Sequence, residues 1–199
     1  MKSKLQIPFI VVLLVLFLAG FAYGEEQKWK IDKNHSSIYF DVRHTYVTVR
    51  GLFKGFRGNI QFDPENKDAG RVEFEVDTTS IDTNIVKRDN HLRSGDFFNA
   101  SKYPLMTFNS TNVKHVSDNQ YIVEGELTVK DVIQTVQVPF TYFGIRENPL
   151  KKGEQVAGFE GEFTINRLDY NVGNGEFAEM GVVGEDVSIV VALEVLRDK

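Results

Sequence analysis

The sequence predicts an all-β fold: an eight-stranded antiparallel barrel with a short helical insert between the third and fourth strands. Three observations carry that expectation. Apolar and polar residues alternate with period two along most of the chain, the mark of strands that bury one face. The segments are joined by short stretches rich in Asp, Asn, Pro and Gly, so consecutive segments should pair antiparallel. A helical period appears only between Asp82 and Ala100, so the crossover helices of a parallel sheet are missing.

Taken in order, Ile38, Phe40 and Val42 share a face against Tyr39, Asp41 and Arg43, which makes the first half-buried strand. Leu52 to Phe62, with Gly51 at its start and Gly55 and Gly58 inside it, reads as a second strand bent or bulged at glycine, as a closing barrel corner requires. Val72, Phe74 and Val76 oppose Glu73, Glu75 and Asp77 in the third. Beyond the insert come Leu105 to Val113, Tyr121 to Val129, Thr135 to Phe143, Val156 to Ile165 and Val187 to Val195. Turn chemistry sits at Asp63-Pro64-Glu65-Asn66, Ser117-Asp118-Asn119, Lys130-Asp131 and Asn148-Pro149.

Closing the sheet into a barrel removes its two edges, which a sandwich would leave to be guarded. An eight-stranded barrel is either filled with side chains or just wide enough for one small ligand. Both versions present the same apolar inner faces, so the alternation leaves that choice open. If the barrel is hollow, Phe40, Val42, Phe74, Val76, Phe108, Val123, Leu127 and Phe140 are the inner-face residues that would line one continuous apolar, ligand-binding cavity.

Met1 to Gly24 reads as a secretory signal peptide: Lys2 and Lys4 precede an apolar core from Ile7 to Ala22, and Ala22-Tyr23-Gly24 supplies small residues for cleavage. A cut after Ala22 and an uncleaved anchor are the competing readings. Residues 25–199 then form one domain, long enough to bury a sizeable core. The chain has no cysteine, so disulfides, thiolate nucleophiles and sulfur metal ligands are excluded. It carries 23 Lys and Arg against 28 Asp and Glu, a poor match for a phosphate backbone, and no nucleic-acid partner is expected.

The insert packs Arg88-Asp89-Asn90-His91-Leu92-Arg93-Ser94-Gly95-Asp96-Phe97-Phe98 into a strand-patterned chain. Asp82 or Thr83 can cap a helix that runs to Arg93, with Gly95 where helices commonly end. Ile85 and Leu92 would face the barrel together, and Asp89 with Arg93 would form a surface pair of the favourable order. Arg88 and His91 share another side. Arg88, His91 and Arg93 are therefore the candidate donors to the polar head of a ligand, held in place by Asp89 and Asp96. Asp96 would cap a second turn, and of Phe97 and Phe98 one would plug the barrel rim while the other meets ligand.

Catalytic and metal signatures are not found. His35, His44, His91 and His115 lack metal-site spacings, and neither a Gly-x-Ser-x-Gly elbow nor a P-loop occurs. Gly173, Gly175, Gly181 and Gly184 do not fit a dinucleotide fingerprint and read instead as a mobile connection before the last strand. No cofactor and no enzyme activity are expected. The competing catalytic reading would use His91 as base with Asp89 or Asp96 orienting it on a bound lipid. A third reading is a filled barrel acting as an interaction or stress-response module.

One resemblance spans nearly all of residues 25–199. It rests on Trp29-Lys30-Ile31-Asp32 followed by His35-Ser36-Ser37-Ile38, on Phe40-Asp41-Val42-Arg43-His44, on Ser80-Ile81-Asp82-Thr83 through Tyr103-Pro104-Leu105-Met106-Thr107-Phe108-Asn109-Ser110-Thr111, on Gly125-Glu126-Leu127-Thr128-Val129, and on Asn166-Arg167-Leu168-Asp169-Tyr170. In order and spacing these motifs closely resemble the YceI-like family of periplasmic, lipocalin-like polyisoprenoid-binding proteins. The chain departs at Lys130-Asp131, where a basic residue and glycine are usual, and at Tyr170-Asn171, where Phe-Gly is usual. The resemblance implies a lipocalin-like barrel that binds, stores or transports a long-chain isoprenoid or fatty-acyl-type lipid without catalysis. It also implies the Gram-negative periplasm. Transient contact with the membrane or a membrane protein would suit such a role.

Overall fold

The computed structural model describes residues 28–66 and 70–199, so the predicted signal segment lies outside the described residues. The strands are β1 (Lys28–Ile31), β2 (Ser37–His44), β3 (Val47–Phe53), β4 (Phe56–Phe62), β5 (Gly70–Asp77), β6 (Ile81–Asp82), β7 (Leu105–Ser117), β8 (Gln120–Val129), β9 (Val132–Glu147), β10 (Glu154–Asn166) and β11 (Val183–Asp198). Helix α1 spans Val86–Arg93 and the short α2 spans Glu176–Glu179. All pairings are antiparallel, and β11 returns to β2 to close the ring.

Ten of the eleven strands make eight staves, because two of the staves are broken, and β1 is an additional short strand. The predicted strand from Leu52 to Phe62 is β3 and β4, which do not pair with each other but meet at a bend through Lys54 and Gly55. The next stave breaks at the same level, where a 3-10 turn at Thr78–Ser80 separates β5 from β6. β4 then pairs with β5, and β3 with β6. Two backbone bonds hold the break together, Asp77 N–H to Gly55 O at 2.8 Å and Lys54 N–H to Ser80 O at 3.2 Å. The Lys54–Asp82 ion pair spans it outside. A side chain at Gly55 would stand 3.0 Å from Asp77 Cβ and 3.2 Å from Ser80 Cβ, so the two staves can approach there only with glycine.

The other connections follow their turn chemistry. Asp63 accepts from the Glu65 amide, and left-handed backbone at Asp118 and Lys130 turns the β7–β8 and β8–β9 hairpins. β9 and β11 each run 16 residues, roughly 50 Å at ~3.3 Å per residue, so the barrel is elongated. Strand β1 was not foreseen: a four-residue strand is too short to show a period. It wedges between β4 and β11 where those two diverge, pairing Trp29 with Ile60 and Ile31 with Val195.

That end of the barrel is solid. Phe62 meets the rings of Tyr142, Tyr121 and Phe159 at 5.0, 5.2 and 5.2 Å, and Trp29 donates its indole N–H to Phe62 O at 3.0 Å. Val195 beneath them is completely buried. The opposite end is covered by α1, the turn that follows it, and the segment from Arg167 to Val182. There Phe97, Val129, Tyr170 and Val172 form a second, smaller core.

The insert lies between the third and fourth staves as expected, yet its side chains differ from the expected arrangement. Helix α1 is capped by neither Asp82 nor Thr83. Ile85 holds the cap position with no side-chain bond. Asp89 instead turns inward, is 5% exposed, and accepts from both the amide (2.9 Å) and the hydroxyl of Thr83. A carboxylate that receives two donors in a dry site is committed to them, so the predicted Asp89–Arg93 pair does not form. Ile85 is half exposed, and only Leu92 reaches the barrel. Asp96 caps nothing and lies 3.1 Å from His91 Nε2.

The glycine-rich connection before β11 is structured. A 3-10 turn at Arg167–Tyr170 is followed by left-handed backbone at Asn171, Gly173, Gly175 and Gly181, and α2 sits among them.

Candidate ligand cavity

Between the solid end and the covered end the barrel holds a cavity of about 260 Å³ that is partly open to solvent. Of the nominated residues, Phe40, Val42, Phe74, Val76, Phe108, Val123, Leu127 and Phe140 all stand on its wall. Phe97 and Phe98 stand there as well, which corrects the expectation that only one could face inward. They sit on the tight turn after α1, and their successive side chains reach different parts of the wall. Phe98 meets Phe53 edge-on at 5.9 Å, and Phe97 packs between His91 and Phe177.

The space stays open because large rings are laid flat along the wall. Phe40 pairs with Gly51 in register, and a Cβ at Gly51 would fall 2.3 Å from the tip of the Phe40 ring. Phe74 pairs with Gly58 and covers it in the same way, and the Phe108 ring lies over Gly125, diagonal to it in the β7–β8 pair, where a Cβ would fall 2.6 Å from the ring tip. A side chain at any of these three glycines would push the ring off the wall toward the lumen. Three of the nominated aromatics therefore build wall and leave the centre free, a device that packs aromatic surface without filling volume.

The three predicted head-group donors are not on the cavity wall. Arg88 donates through Nε to Thr83 Oγ1 and through Nη2 to Thr83 O, both at 2.7 Å. Arg93 reaches back across the broken stave, Nε to Thr79 O at 2.7 Å and Nη2 to Ile81 O at 2.6 Å. His91 faces Asp96 and the rings of Phe97 and Phe177. The insert's dense charge thus fastens the loop to the barrel: Arg93 bonds Thr79 O inside the β5–β6 break and Ile81 O just beyond it, and Arg88 bonds Thr83 O past the end of β6.

The polar group that does reach the cavity was missed. Arg167 is 5% exposed and lies on the wall, the one ionised side chain among the described lining residues. It donates through Nε to Gly184 O at 2.8 Å, through Nη1 to Val172 O at 2.8 Å and through Nη2 to Val183 O at 3.2 Å. Burial holds its guanidinium below the ordinary arginine value, and the more distant Glu185 offsets this only in part. One turn on, Tyr170 is 2% exposed, also lines the cavity, and its hydroxyl has no hydrogen-bond partner. Burial and the neighbouring Asp169 charge push that phenol above its ordinary value. Val172, Phe163, Ile165, Val187, Ile189 and Val191 complete this side. The inner face of β11 was legible as alternation. Arg167 gave no such signal, because a single arginine in a polar turn looks like any surface arginine.

Outside the barrel, His35 Nδ1 lies 2.8 Å from Asp32 and 3.7 Å from Glu194. The hydrogen bond that His35 donates to the Asp32 carboxylate raises the exposed imidazole above its ordinary value, and Asp32 is correspondingly lowered by the same bond. This cluster ties the β1–β2 turn to β11.

A closed, elongated antiparallel barrel with a single wall of apolar side chains around an internal cavity defines a lipocalin-like ligand-binding barrel. The YceI-like domain model matches residues 29–195, and the chain belongs to that family. It is 35% identical over 191 residues to a UPF0312 protein of Pectobacterium atrosepticum, covering 96% of each chain. To protein YceI of Escherichia coli it is 35% identical over 199 residues, covering 100% of this chain and 99% of that one. Among solved structures it resembles BcnA of Burkholderia cenocepacia, with a TM-score of 0.73, 30% identity, and coverage of 82% of this chain and 98% of the other. A polyisoprenoid binding domain from Saccharophagus degradans shares the fold at a TM-score of 0.61 and 17% identity, covering 84% and 97%.

Proposed function

We propose that this protein binds a long-chain amphiphilic lipid, an isoprenoid or a fatty-acyl chain, inside its barrel and stores or carries it without chemical change after export to the periplasm. The observation that carries the reading is the hollow, apolar half of an otherwise tightly packed barrel. Burying each methylene is worth ~0.8 kcal/mol, so a long chain in such a space binds tightly with few polar contacts. The wall contacts are those of Phe40, Val42, Phe74, Val76, Phe98, Phe108, Val123, Leu127 and Phe140. Membership of the YceI-like family and the fold shared with a structure described as a polyisoprenoid binding domain support the same ligand class. His91 and Asp96, the pair a catalytic reading would use, lie 3.1 Å apart but off the cavity wall. In the carrier reading the insert is a packed lid, fastened by Arg88 and Arg93.

The test is mass spectrometry of the organic extract of protein purified from the periplasmic fraction of its own host. The expected result is one long-chain species at near-stoichiometric amount. An extract without lipid, from protein that also fails to take up prenyl alcohols or fatty acids, would overturn the reading.

A further inference from the structure

We infer that Asp32, His35 and Glu194 together hold a divalent metal ion of the zinc class on the outer surface of the barrel. The site is independent of what the cavity carries. His35 Nδ1 lies 2.8 Å from Asp32 Oδ2 and 3.7 Å from Glu194 Oε1, and one donor atom from each of the three side chains lies within 4.8 Å of the other two. A Zn(II) ion at ~2.0–2.2 Å from each ligand sets its donors roughly 3–4 Å apart, so the cluster closes on an ion with small side-chain rotations. Sequence spacing hid the site, because Asp32 and His35 are near neighbours whereas Glu194 arrives from the last strand.

Two features separate the cluster from an ordinary surface ion pair. The donors are placed by bonds that need no cation. Glu194 O accepts from the Asp32 amide at 2.9 Å and from the Ser36 hydroxyl at 3.1 Å, and the Glu194 amide donates to Ser36 Oγ at 3.0 Å. Asp32 Oδ1 accepts from the Asn34 amide at 2.9 Å, which leaves Oδ2 turned to His35. The charges, moreover, do not balance. Two carboxylates share one imidazole, and among the described residues no lysine or arginine pairs with either acid. One carboxylate would fasten His35; the second adds repulsion unless a dication sits between them. A neutral imidazole with two carboxylates matches a double positive charge, and a nitrogen among the donors suits zinc better than calcium or magnesium, which take oxygen. The side chains of His35 and Glu194 are 63% and 42% exposed, so water can complete the coordination from outside.

The position gives such an ion a purpose. β11 pairs with β2 as far as Ala192 and with β1 from Val195, so Glu194 stands where the ladder passes from one partner to the other. An ion there staples the β1–β2 turn onto β11 in a chain that has no cysteine for a disulfide. In the metal-free protein the His35 proton takes the ion's place, and the contacts described above remain.

Tag-free protein stripped with EDTA tests the assignment by calorimetric titration and by melting temperature. Zn(II) should bind at a single site, and at a free concentration about tenfold above Kd it should raise the melting temperature by about 3–6 °C. Mn(II) should act more weakly, and Mg(II) and Ca(II) should not act. His35→Gln and Glu194→Gln should each weaken Zn(II) binding by roughly tenfold or more, since even outer-shell changes cost that much. Their metal-free melting temperatures should stay close to the parent's, because the backbone bonds at Glu194 are kept. His91→Gln, which removes a second histidine–carboxylate contact, should leave the response to Zn(II) intact. No Zn(II) binding by the unmodified protein, a response that His35→Gln and Glu194→Gln both leave intact, a response that His91→Gln removes, or an equal response to Ca(II) would overturn the site.

Discussion

The two halves of the barrel are written in the same alternating code and come out opposite, one solid and one hollow. Around Phe62 the rings of Tyr121, Tyr142, Phe159 and, at 6.2 Å, Phe140 interlock, and β1 adds Trp29 from below. Around Phe40, Phe74 and Phe108 each ring has a glycine beneath it and lies along the wall. The same residue type fills space in one half and spares it in the other. In the hollow half a neighbouring strand supplies the glycine under each of these rings, so this stretch of cavity wall is encoded in neighbouring residues of two strands and not in single strands.

The largest expected effect breaks the solid half. Phe62→Ala removes a ring 5% exposed and held on four sides, and should cost about 3–5 kcal/mol in urea unfolding. Phe108→Ala on the hollow half widens an existing space and should cost about half that or less, because part of its ring already faces the cavity. Equal costs would mean that the two halves are packed alike.

Filling the hollow half sharpens the comparison next. Leu127→Trp puts a larger side chain on the cavity wall and should lower lipid loading measured by mass spectrometry without unfolding the protein. Gly125→Val would set its Cβ against both the Asn109 carbonyl, at 2.5 Å, and the ring of Phe108, at 2.6 Å, and should combine the same loss of loading with overpacking at or above the usual ~1–3 kcal/mol. Retained loading in both variants would place the ligand elsewhere.

Smaller still is the effect at the lid. Arg88→Ala loses two bonds to Thr83 and should loosen the insert by about 1–2 kcal/mol. Because those bonds are internal, affinity for geranylgeranyl phosphate and for geranylgeraniol should fall by the same factor. A selective loss of the phosphate would return the head group to the insert.

Most of the frame was legible in the sequence, and the reasons for the gaps are physical. Period two marks which face of β7 to β11 turns inward, and the insert falls where the alternation stops. β1 escaped because four residues carry no period, and the break at Lys54-Gly55 appeared as a bend because both halves keep the alternation. The insert misled for another reason. Its charges looked free for ligand, whereas Arg93 is consumed by carbonyls at and beside a stave break that only the tertiary pairing creates, and Arg88 by Thr83 just past β6. The cavity's own cation, Arg167, stood in a motif but carried no local mark of burial.

The smallest prediction concerns the solid end's outer fastening. His35 bridges to Asp32 at 2.8 Å and lies 3.7 Å from Glu194, so its protonated form is favoured in the folded protein and its titration lies above the ordinary 6.5. The contribution is therefore fully present below pH 6.5 and lost as pH rises through the raised value, where the folded protein gives up a proton it had bound preferentially. At the acid limit a second loss follows, since Asp32 is lowered by the same bond and stability falls as pH drops through its folded value. His35→Gln should consequently narrow the melting-temperature gap to the parent above neutrality and widen it at mildly acidic pH. The side chain is largely exposed, so the gap should be small and should shrink further in high salt. Lipid loading should not respond at all, because this cluster fastens the filled half; a loading change with pH that His35→Gln abolishes would show that the two halves are coupled.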